Sequence, residues 1–85
     1  MGTLHNAILR APATYSACGI GRSTLYAWVK KGLWSRPFRI SAKAVGWPAR
    51  EVEALAGARI AGCTEEEIRA LVVRLEADRK SAASE

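Results

Sequence analysis

Glycine and proline divide this 85-residue chain into short segments, and their spacing limits the elements that it can form. Proline suits the first turn of a helix or the edge of a sheet because its φ is fixed and it lacks an N–H, and glycine permits tight turns. The dividing residues are Pro12, Gly19, Gly21, Gly32, Pro37, Pro48 and Gly62. The sequence therefore predicts one small domain, mainly α, built from short elements.

Two short helices are predicted around the first pair of glycines. Pro12 fits the first turn of a helix over Ala13–Cys18, and Gly19-Ile20-Gly21 then forms a tight turn. A second helix follows over about Arg22–Lys31, and Gly32 ends it. Two short helices joined by a Gly-containing turn are typical of a helix-turn-helix.

The predicted second helix has one apolar face and one polar, basic face. At about 100° per residue, Leu25, Trp28 and Val29 share the apolar face. Ser23, Ala27 and Lys30 lie opposite, with Tyr26 and Lys31 on the flanks. A helix of this kind packs on a core and leaves its other face available to a ligand.

The segment that follows changes to a period of two residues, which indicates β-structure. A strand over Arg36–Ile40 carries Phe38 and Ile40 on one face and Arg39 on the other. After a turn, Val45–Trp47 forms the returning strand. The pair is a two-stranded β-hairpin, which would be the wing of a winged helix-turn-helix. Residues 1–11 are interpreted as a lead-in.

Two further helices complete the predicted domain. The third runs from Pro48 to about Ala61, and Gly62 ends it. Its buried face is predicted to comprise Val52, Leu55, Ala56 and Ile60. Thr64-Glu65-Glu66-Glu67 has the pattern of a capping box, so it predicts the start of a last helix that runs to about Lys80.

The last helix carries an apolar stripe whose partner the sequence leaves open. The stripe is Ile68, Leu71, Val72 and Leu75. It folds back on its own domain or pairs with the same helix of another protomer, and the small core favours a homodimer. The domain prediction is therefore residues 1–62 for the winged helix-turn-helix, 63–80 for this helix and 81–85 for a frayed tail.

Charge is distributed unevenly along the chain. The net charge is +5, from 13 Lys and Arg and 8 Asp and Glu, but no acidic residue precedes Glu51. Eight of the basic residues lie before that position. A surface of one sign repels itself, and a polyanion partner is the usual reason for keeping one. The N-terminal part is therefore predicted to bind nucleic acid.

Ten residues are candidate DNA contacts. Arg22, Ser23 and Thr24 start the second helix, where side chains and free backbone N–H groups can contact phosphate, with ordinary capping as the alternative. Lys43, near the hairpin tip, is the best wing candidate for a phosphate or minor-groove contact. The others are Tyr26, Ala27, Lys30, Lys31, Arg36 and Arg39. Their alternative roles are helix-dipole stabilisation, core covering and protection of a sheet edge.

The three tryptophans could stack on single-stranded bases. Trp28 falls on the apolar helix face and Trp47 ends a strand, so both are predicted to lie in the core. Trp34 is left open between core and surface.

Other function classes find little support in the sequence. Cys18, Cys63 and His5 are too few ligands for a zinc site, and the distant cysteines are expected to be reduced thiols of a cytoplasmic protein. Gly19-x-Gly21 lacks the third glycine of a dinucleotide site, and no base is placed beside a Ser or Cys nucleophile. We expect no enzymatic activity, no cofactor, no metal, no signal peptide and no membrane span.

Four blocks of the sequence resemble the AlpA family of small prophage-associated regulators. They are Gly19-Ile-Gly-Arg-Ser-Thr-Leu-Tyr26, Lys30-Lys-Gly32, Ala44-Val-Gly-Trp47 and Glu51-Val-Glu53, and the similarity runs ungapped from about Leu9 to Leu55. The resemblance implies a MerR-like winged helix-turn-helix that binds DNA through the helix starting at Arg22, with the hairpin as wing.

This chain departs from the AlpA pattern at three positions. It has Gly21 and Ser35 where the family often has Ser and Pro, respectively. It has Ala27 where the family often has Arg, in the middle of the polar helix face. The resemblance therefore carries over DNA binding but not the base preference.

The sequence as a whole predicts a sequence-specific, double-stranded DNA-binding transcriptional regulator of prophage or mobile-element type, associated with the nucleoid. The resemblance adds an excisionase-like, DNA-bending factor as an alternative, with integrase or RNA polymerase as possible protein partners. A protein-interaction adaptor that works through the last helix, or a phage terminase small subunit, are further alternatives.

Overall fold

The computed structural model describes residues 7–80, in the order strand, two helices, hairpin and two helices. The elements are β1 (Ile8–Arg10), α1 (Ala11–Ala17), α2 (Arg22–Lys30), β2 (Phe38–Ser41), β3 (Ala44–Pro48), α3 (Ala49–Ile60) and α4 (Glu65–Ala77). This is the predicted small winged helix-turn-helix with a C-terminal helix. His5 and the tail 81–85 lie outside the described residues.

The wing belongs to a sheet with one strand more than the sequence predicted. The strand order is β1-β3-β2 with antiparallel pairing throughout, and Leu9 of the expected lead-in lies opposite Trp47. Gly46, in the central strand, has no room for a side chain. A Cβ there would stand 2.8 Å from both the Ile40 Cδ1 and the Leu9 carbonyl oxygen. The glycine therefore allows the two outer strands to close on the central one.

The first wing strand starts at Phe38, two residues later than predicted. Arg36 cannot continue the ladder because its N–H donates to Glu76 and its carbonyl accepts from Arg79. The helix α1 starts at Ala11 rather than Ala13, with proline in its first turn.

Glycine ends α2 where the sequence indicated. Gly32 has a φ of +78°, in the left-handed region that residues with a Cβ rarely adopt, and its N–H donates to the Val29 carbonyl. The chain therefore turns away from the helix axis immediately after Lys31.

The core lies between α2, the sheet, α3 and α4. Its buried apolar residues are Leu25, Leu33, Trp34, Trp47, Val52, Leu55, Ile68 and Val72. Trp34, left open by the sequence, is completely buried and stacks at 5.9 Å on the half-buried Trp28. Trp47 is also completely buried, as predicted. Trp34 and Trp47 are therefore unavailable for stacking on bases.

The prediction that Ile60 belongs to the buried face of α3 is wrong. Ile60 is 87% exposed, at the last residue of that helix. Arg59, four residues after the buried Leu55, takes the inward position instead. Its guanidinium lies 3.6 Å from the centre of the Trp28 ring. A long basic side chain therefore closes the core where an apolar residue was expected.

The last helix packs on its own domain. Its N-terminus has the predicted capping box, with Thr64 and Glu67 hydrogen-bonded reciprocally at 3.1 and 2.8 Å. Ile68 and Val72 are buried in the core. The predicted dimerisation residues Leu71 and Leu75 are half-buried against the same core. The homodimer stays a prediction: Ile68 and Val72 are covered within the single chain, whereas Leu71 and Leu75 keep part of their surface exposed.

Candidate nucleic-acid interface

The N-terminal end of α2 is exposed and has no side-chain cap. Gly21 is its N-cap residue and offers no side-chain acceptor, and no acidic residue lies in the first turn. The predicted contact residues Arg22, Ser23 and Thr24 are all exposed there. Uncapped backbone N–H groups and the positive end of the helix dipole form a site that suits an anion.

A cleft of about 200 Å³, which we call the basic cleft, brings together predicted DNA-contact residues of α2 and the wing. Arg22 and Tyr26 contribute from α2, and Lys43 contributes from the hairpin turn. Arg10 at the end of β1 and Tyr15 of α1 also line it, and the remaining lining residues are Ala11, Pro12, Ala44 and Val45. Three basic side chains from separate elements therefore line one cleft that has no acidic residue in its lining.

Tyr26 connects this cleft to the core. Its ring contacts Trp47 edge to face, with centroids 6.1 Å apart, and the Arg22 guanidinium lies 5.6 Å from the centre of the same ring. Tyr26 therefore covers part of the core, which was the alternative to a DNA contact in the sequence analysis. It also holds Arg22 by a cation–π contact at the mouth of the cleft.

The other wing candidate, Arg39, lies apart from the cleft lining. It is exposed and pairs across the hairpin with Val45. A register irregularity separates it from Ser41, so the strand bends towards the tip. Arg39 is placed to extend a positively charged surface along the wing.

Two predicted residues line a different groove. Lys30 and Arg36 border an opening of about 360 Å³ between the C-terminal end of α2 and α4. Arg69 and Glu76 of α4 share this border. The ten candidates therefore do not form a single site.

The last two candidates lie on the outside of α2. Ala27 is exposed in the middle of the helix, between the basic cleft and the groove, and Lys31 is exposed at the C-terminal end. The Lys31 carbonyl accepts a hydrogen bond of 3.0 Å from Arg69. The polar face of α2 is thus open along its length, as the sequence predicted.

Comparison with known proteins identifies the family. Residues 7–60 match the sequence model of the family described as prophage CP4-57 regulatory protein (AlpA). This match covers β1 through α3, including every residue of the basic cleft.

The chain belongs to the AlpA family. The resemblance in the sequence is thereby confirmed, and membership implies a regulatory, DNA-binding role of prophage type.

The chain is also similar to a phage protein. The uncharacterized protein ORF88 of Enterobacteria phage P4 is 39% identical over 54 residues, which are 64% of this chain and 61% of that protein. The chain thus spans less than two thirds of this relative. No solved structure matches the chain.

Two members of the cleft were missed at the level of sequence. Arg10 was counted in the basic stretch but not among the contacts, because it precedes the helix-turn-helix. Tyr15 was interpreted only as part of the first helix. Their position follows from the pairing of Arg10 with Gly46, which places the end of β1 beside the wing. The sequence around β1 did not predict a strand, because its partner β3 lies beyond both helices in the chain.

A second missed set lies behind the wing. Glu51 lies in the first turn of α3 and Arg79 follows the end of α4, so complementing the helix dipole would be a sufficient role for each. Glu51 is instead completely buried, and Arg79 binds it through Nη2 and Nε at 2.7 and 2.8 Å. Hydrogen bonding to Glu51 raises the pKa of Arg79 above its ordinary value, so this guanidinium remains charged.

The structure offers no sign of nucleophilic or metal chemistry among residues 7–80. Burial raises the pKa of the Cys18 thiol, and the charge of Arg59 offsets this only in part. A thiol with a raised pKa is a poor nucleophile. In the same part of the chain, no three His, Cys, Asp or Glu residues cluster as a metal site would need. No helix found there is long and apolar enough to span a bilayer.

Proposed function

We propose that the protein is a sequence-specific, double-stranded DNA-binding transcriptional regulator of prophage or mobile-element type. In this proposal α2 lies in a major groove and the hairpin follows the adjacent backbone. The observation that carries it is the basic cleft, where Arg10, Arg22 and Lys43 converge from β1, α2 and the hairpin.

The convergence of these cations favours a phosphate ligand. Like charges gathered in one cleft repel one another, and no carboxylate lines the cleft to offset that cost. A phosphate removes the repulsion and accepts charge-assisted hydrogen bonds from the same side chains. The uncapped N-terminus of α2, which begins at Arg22, supplies further donors beside it.

The dimensions of α2 suit a major groove. An α-helix with its side chains is about 10–12 Å across and the major groove of B-DNA is about 12 Å wide, so the nine-residue α2 can enter it. Ala27 lies in the middle of its exposed face, where a small apolar side chain lets the helix approach base edges and can contact a thymine methyl group. Ser23 and Thr24 have hydroxyl groups that can bind either a phosphate or a base edge.

Capture of fragmented bacterial genomic DNA by the purified protein, followed by sequencing, tests specific recognition. Sharp peaks are expected, and their position sorts the roles. Peaks at promoters support a transcriptional regulator that works beside RNA polymerase, and peaks at attachment sites support an excisionase-like factor that works beside an integrase. Uniform recovery, or none, would contradict sequence-specific binding.

Substitutions in the cleft test the contacts. Arg22→Ala and Lys43→Ala are each expected to weaken affinity about tenfold and to lower the slope of log Kd against log salt by about one. Arg74→Ala, which removes an exposed charge from α4, is the matched control. Equal losses in all three variants, or an affinity independent of salt, would contradict the proposed site.

The position of α2 has its own test. Ala27→Ser is expected to change the preferred sequence more than the overall affinity, because Ala27 faces bases rather than phosphates in this proposal. Repeating the genomic capture with this variant measures the change. An unchanged sequence preference would mean that α2 does not read bases as described.

A further inference from the structure

The segment that joins α2 to the wing is held from several sides. We call residues 35–37 the wing linker. Ser35 is completely buried, and its hydroxyl donates to the Glu51 Oε1 at 2.7 Å. Its carbonyl accepts from the Trp47 Nε1, also at 2.7 Å. One end of the linker is thus fixed to α3 and to the central strand.

Side chains from the C-terminal part of the chain hold the next residue. The Arg36 N–H donates to the Glu76 Oε2 at 2.8 Å, and its carbonyl accepts from the Arg79 Nη2 at 2.6 Å. The same guanidinium binds both oxygens of Glu51 and lies 5.9 Å from the centre of the Phe38 ring. Both backbone groups of Arg36 are therefore occupied by residues that lie in or just after α4.

This arrangement restrains the first strand of the hairpin where it leaves the core, in addition to the pairing that holds β3 against β1. Pro37 has a restricted φ, and the residue before it is restricted as well. With the backbone of Arg36 also bound, little rotation remains between the buried Ser35 and the start of β2. The placement of Lys43 relative to Arg22 depends in part on this restraint, because the hairpin carries Lys43 at its turn.

We propose that Glu76 and Arg79 are positioning residues for DNA binding, which keep the wing aligned with α2 through the wing linker. The proposal rests on the proposed function. Neither residue needs to touch DNA. Both lie beyond residues 7–60, which the AlpA family model covers, so this bracing comes from outside the shared module. The C-terminal helix thereby acts on the DNA-binding surface without being part of it.

Double-mutant cycles test this role. The probe is a fluorescein-labelled duplex selected from random-sequence DNA by the wild-type protein, and the readout is Kd by anisotropy. The altered background is Glu51→Gln with Arg79→Met, which removes both charges of the buried pair together and leaves the Ser35 hydroxyl a partner. Circular dichroism and urea unfolding establish that this background is folded.

The expected result is a selective loss of the wing contribution. Lys43→Ala should weaken the wild type about tenfold but the altered background about twofold or less. Arg22→Ala should weaken both backgrounds equally, because α2 does not depend on the linker. A purely structural role for the pair would instead reduce both effects together, and equal Lys43→Ala effects in two folded backgrounds would overturn the proposal.

A milder variant covers the case in which the altered background does not fold. Glu76→Gln weakens the bond to the Arg36 N–H and removes the charge attraction between Glu76 and Arg79, but it leaves the buried pair of Glu51 and Arg79 in place. Glu66→Gln removes the same charge from an exposed position at the other end of α4. The Lys43→Ala effect should shrink in the first variant and remain in the second. If neither Arg22→Ala nor Lys43→Ala changes the wild-type affinity, the proposed function itself fails, which is a separate outcome.

Discussion

The two parts of the chain on either side of residue 50 use charged side chains in opposite ways. Up to that point every charged residue is basic. Among residues 7–80, none of these basic side chains forms a salt bridge. After it, four carboxylates have internal partners: Glu51 binds Arg79, Glu65 binds Arg69, Glu67 caps α4 and Glu76 accepts from the Arg36 N–H. The basic side chains of the first part therefore form no ion pair among the described residues, whereas in the second part a buried ion pair joins α3 to the residues just after α4.

This difference explains how a small basic domain stays folded. Repulsion among the Lys and Arg side chains of α2 and the wing acts against the compact state. The second part contributes a buried ion pair between Glu51 and Arg79 and a helix with a capping box at its N-terminus, and neither involves a residue of the basic cleft. The comparison predicts that substitutions in the second part mainly lower stability and that substitutions in the first mainly lower affinity.

The largest expected effect is on Arg79. Arg79→Met leaves the completely buried Glu51 without its charged partner, which should reduce the free energy of unfolding by about 3–5 kcal/mol. Urea unfolding followed by circular dichroism measures the loss. The matched control is Arg74→Met on the exposed side of α4, which should change stability by no more than about 0.5 kcal/mol. Adding Glu51→Gln to Arg79→Met should recover much of the loss, and a failure to recover would show that the ion pair is not the cause.

The next effect concerns Arg10 of the basic cleft. Arg10→Ala should weaken DNA binding about tenfold, because Arg10 lines the basic cleft and its charge attracts phosphate. The urea midpoint should remain nearly unchanged, because the Arg10 side chain is exposed. Titration at several salt concentrations, alongside Arg74→Ala, separates this from a general change in charge. A large stability loss without any affinity loss would place Arg10 with the structural residues instead.

A smaller effect is expected at the two hydroxyl residues near helix starts. Thr64→Ala removes the capping box of α4 and should lower stability by about 1 kcal/mol without affecting DNA affinity. Ser23→Ala, in the first turn of α2, should leave stability within about 0.5 kcal/mol. Urea midpoints of the two variants give the comparison directly. Equal stability losses would mean that α2 depends on its side-chain hydroxyls as α4 does.

The smallest effect should be seen with Cys18 in the helix-turn-helix. Because burial raises its pKa, the thiol contributes stability that is complete below its ordinary pKa and is lost as pH rises through the raised value. The stability difference between wild type and Cys18→Ala should therefore shrink in the alkaline range. Urea midpoints of the two proteins over that range test this. A difference that is constant with pH would contradict the burial of this thiol.

Much of the fold follows from local signals. Gly32 and Gly62 both adopt positive φ at helix ends, and the apolar faces of α2 and α4 agree with their periodicity. The capping box that starts at Thr64 is a motif of four consecutive residues and can be recognised from the sequence. Each of these features is decided within about two helical turns, so the sequence displays it directly.

The features that escaped prediction depend on distant partners. Glu51 differs from Glu53 only in facing Ser35 and Arg79, which lie 16 and 28 residues away. Arg59 rather than Ile60 faces the core, where its guanidinium lies over the ring of Trp28. Trp28 is distant in sequence, so no residue near position 59 predicts this contact. For the candidate site, Arg22 and Lys43 were recognisable from charge and context. Arg10 was not, since its place depends on the pairing of β1 with β3.

That pairing has a consequence for the order in which the domain assembles. Both helices of the helix-turn-helix lie between the two strands in the chain, so the pairing of β1 with β3 closes a loop that contains them. During synthesis β1 leaves the ribosome before α1 and α2 and has no partner strand until β3 follows. Closing this loop costs entropy before its contacts reward it. The pairing of the edge strand β1 with β3 thus joins two short, marginally stable helices to the rest of the domain.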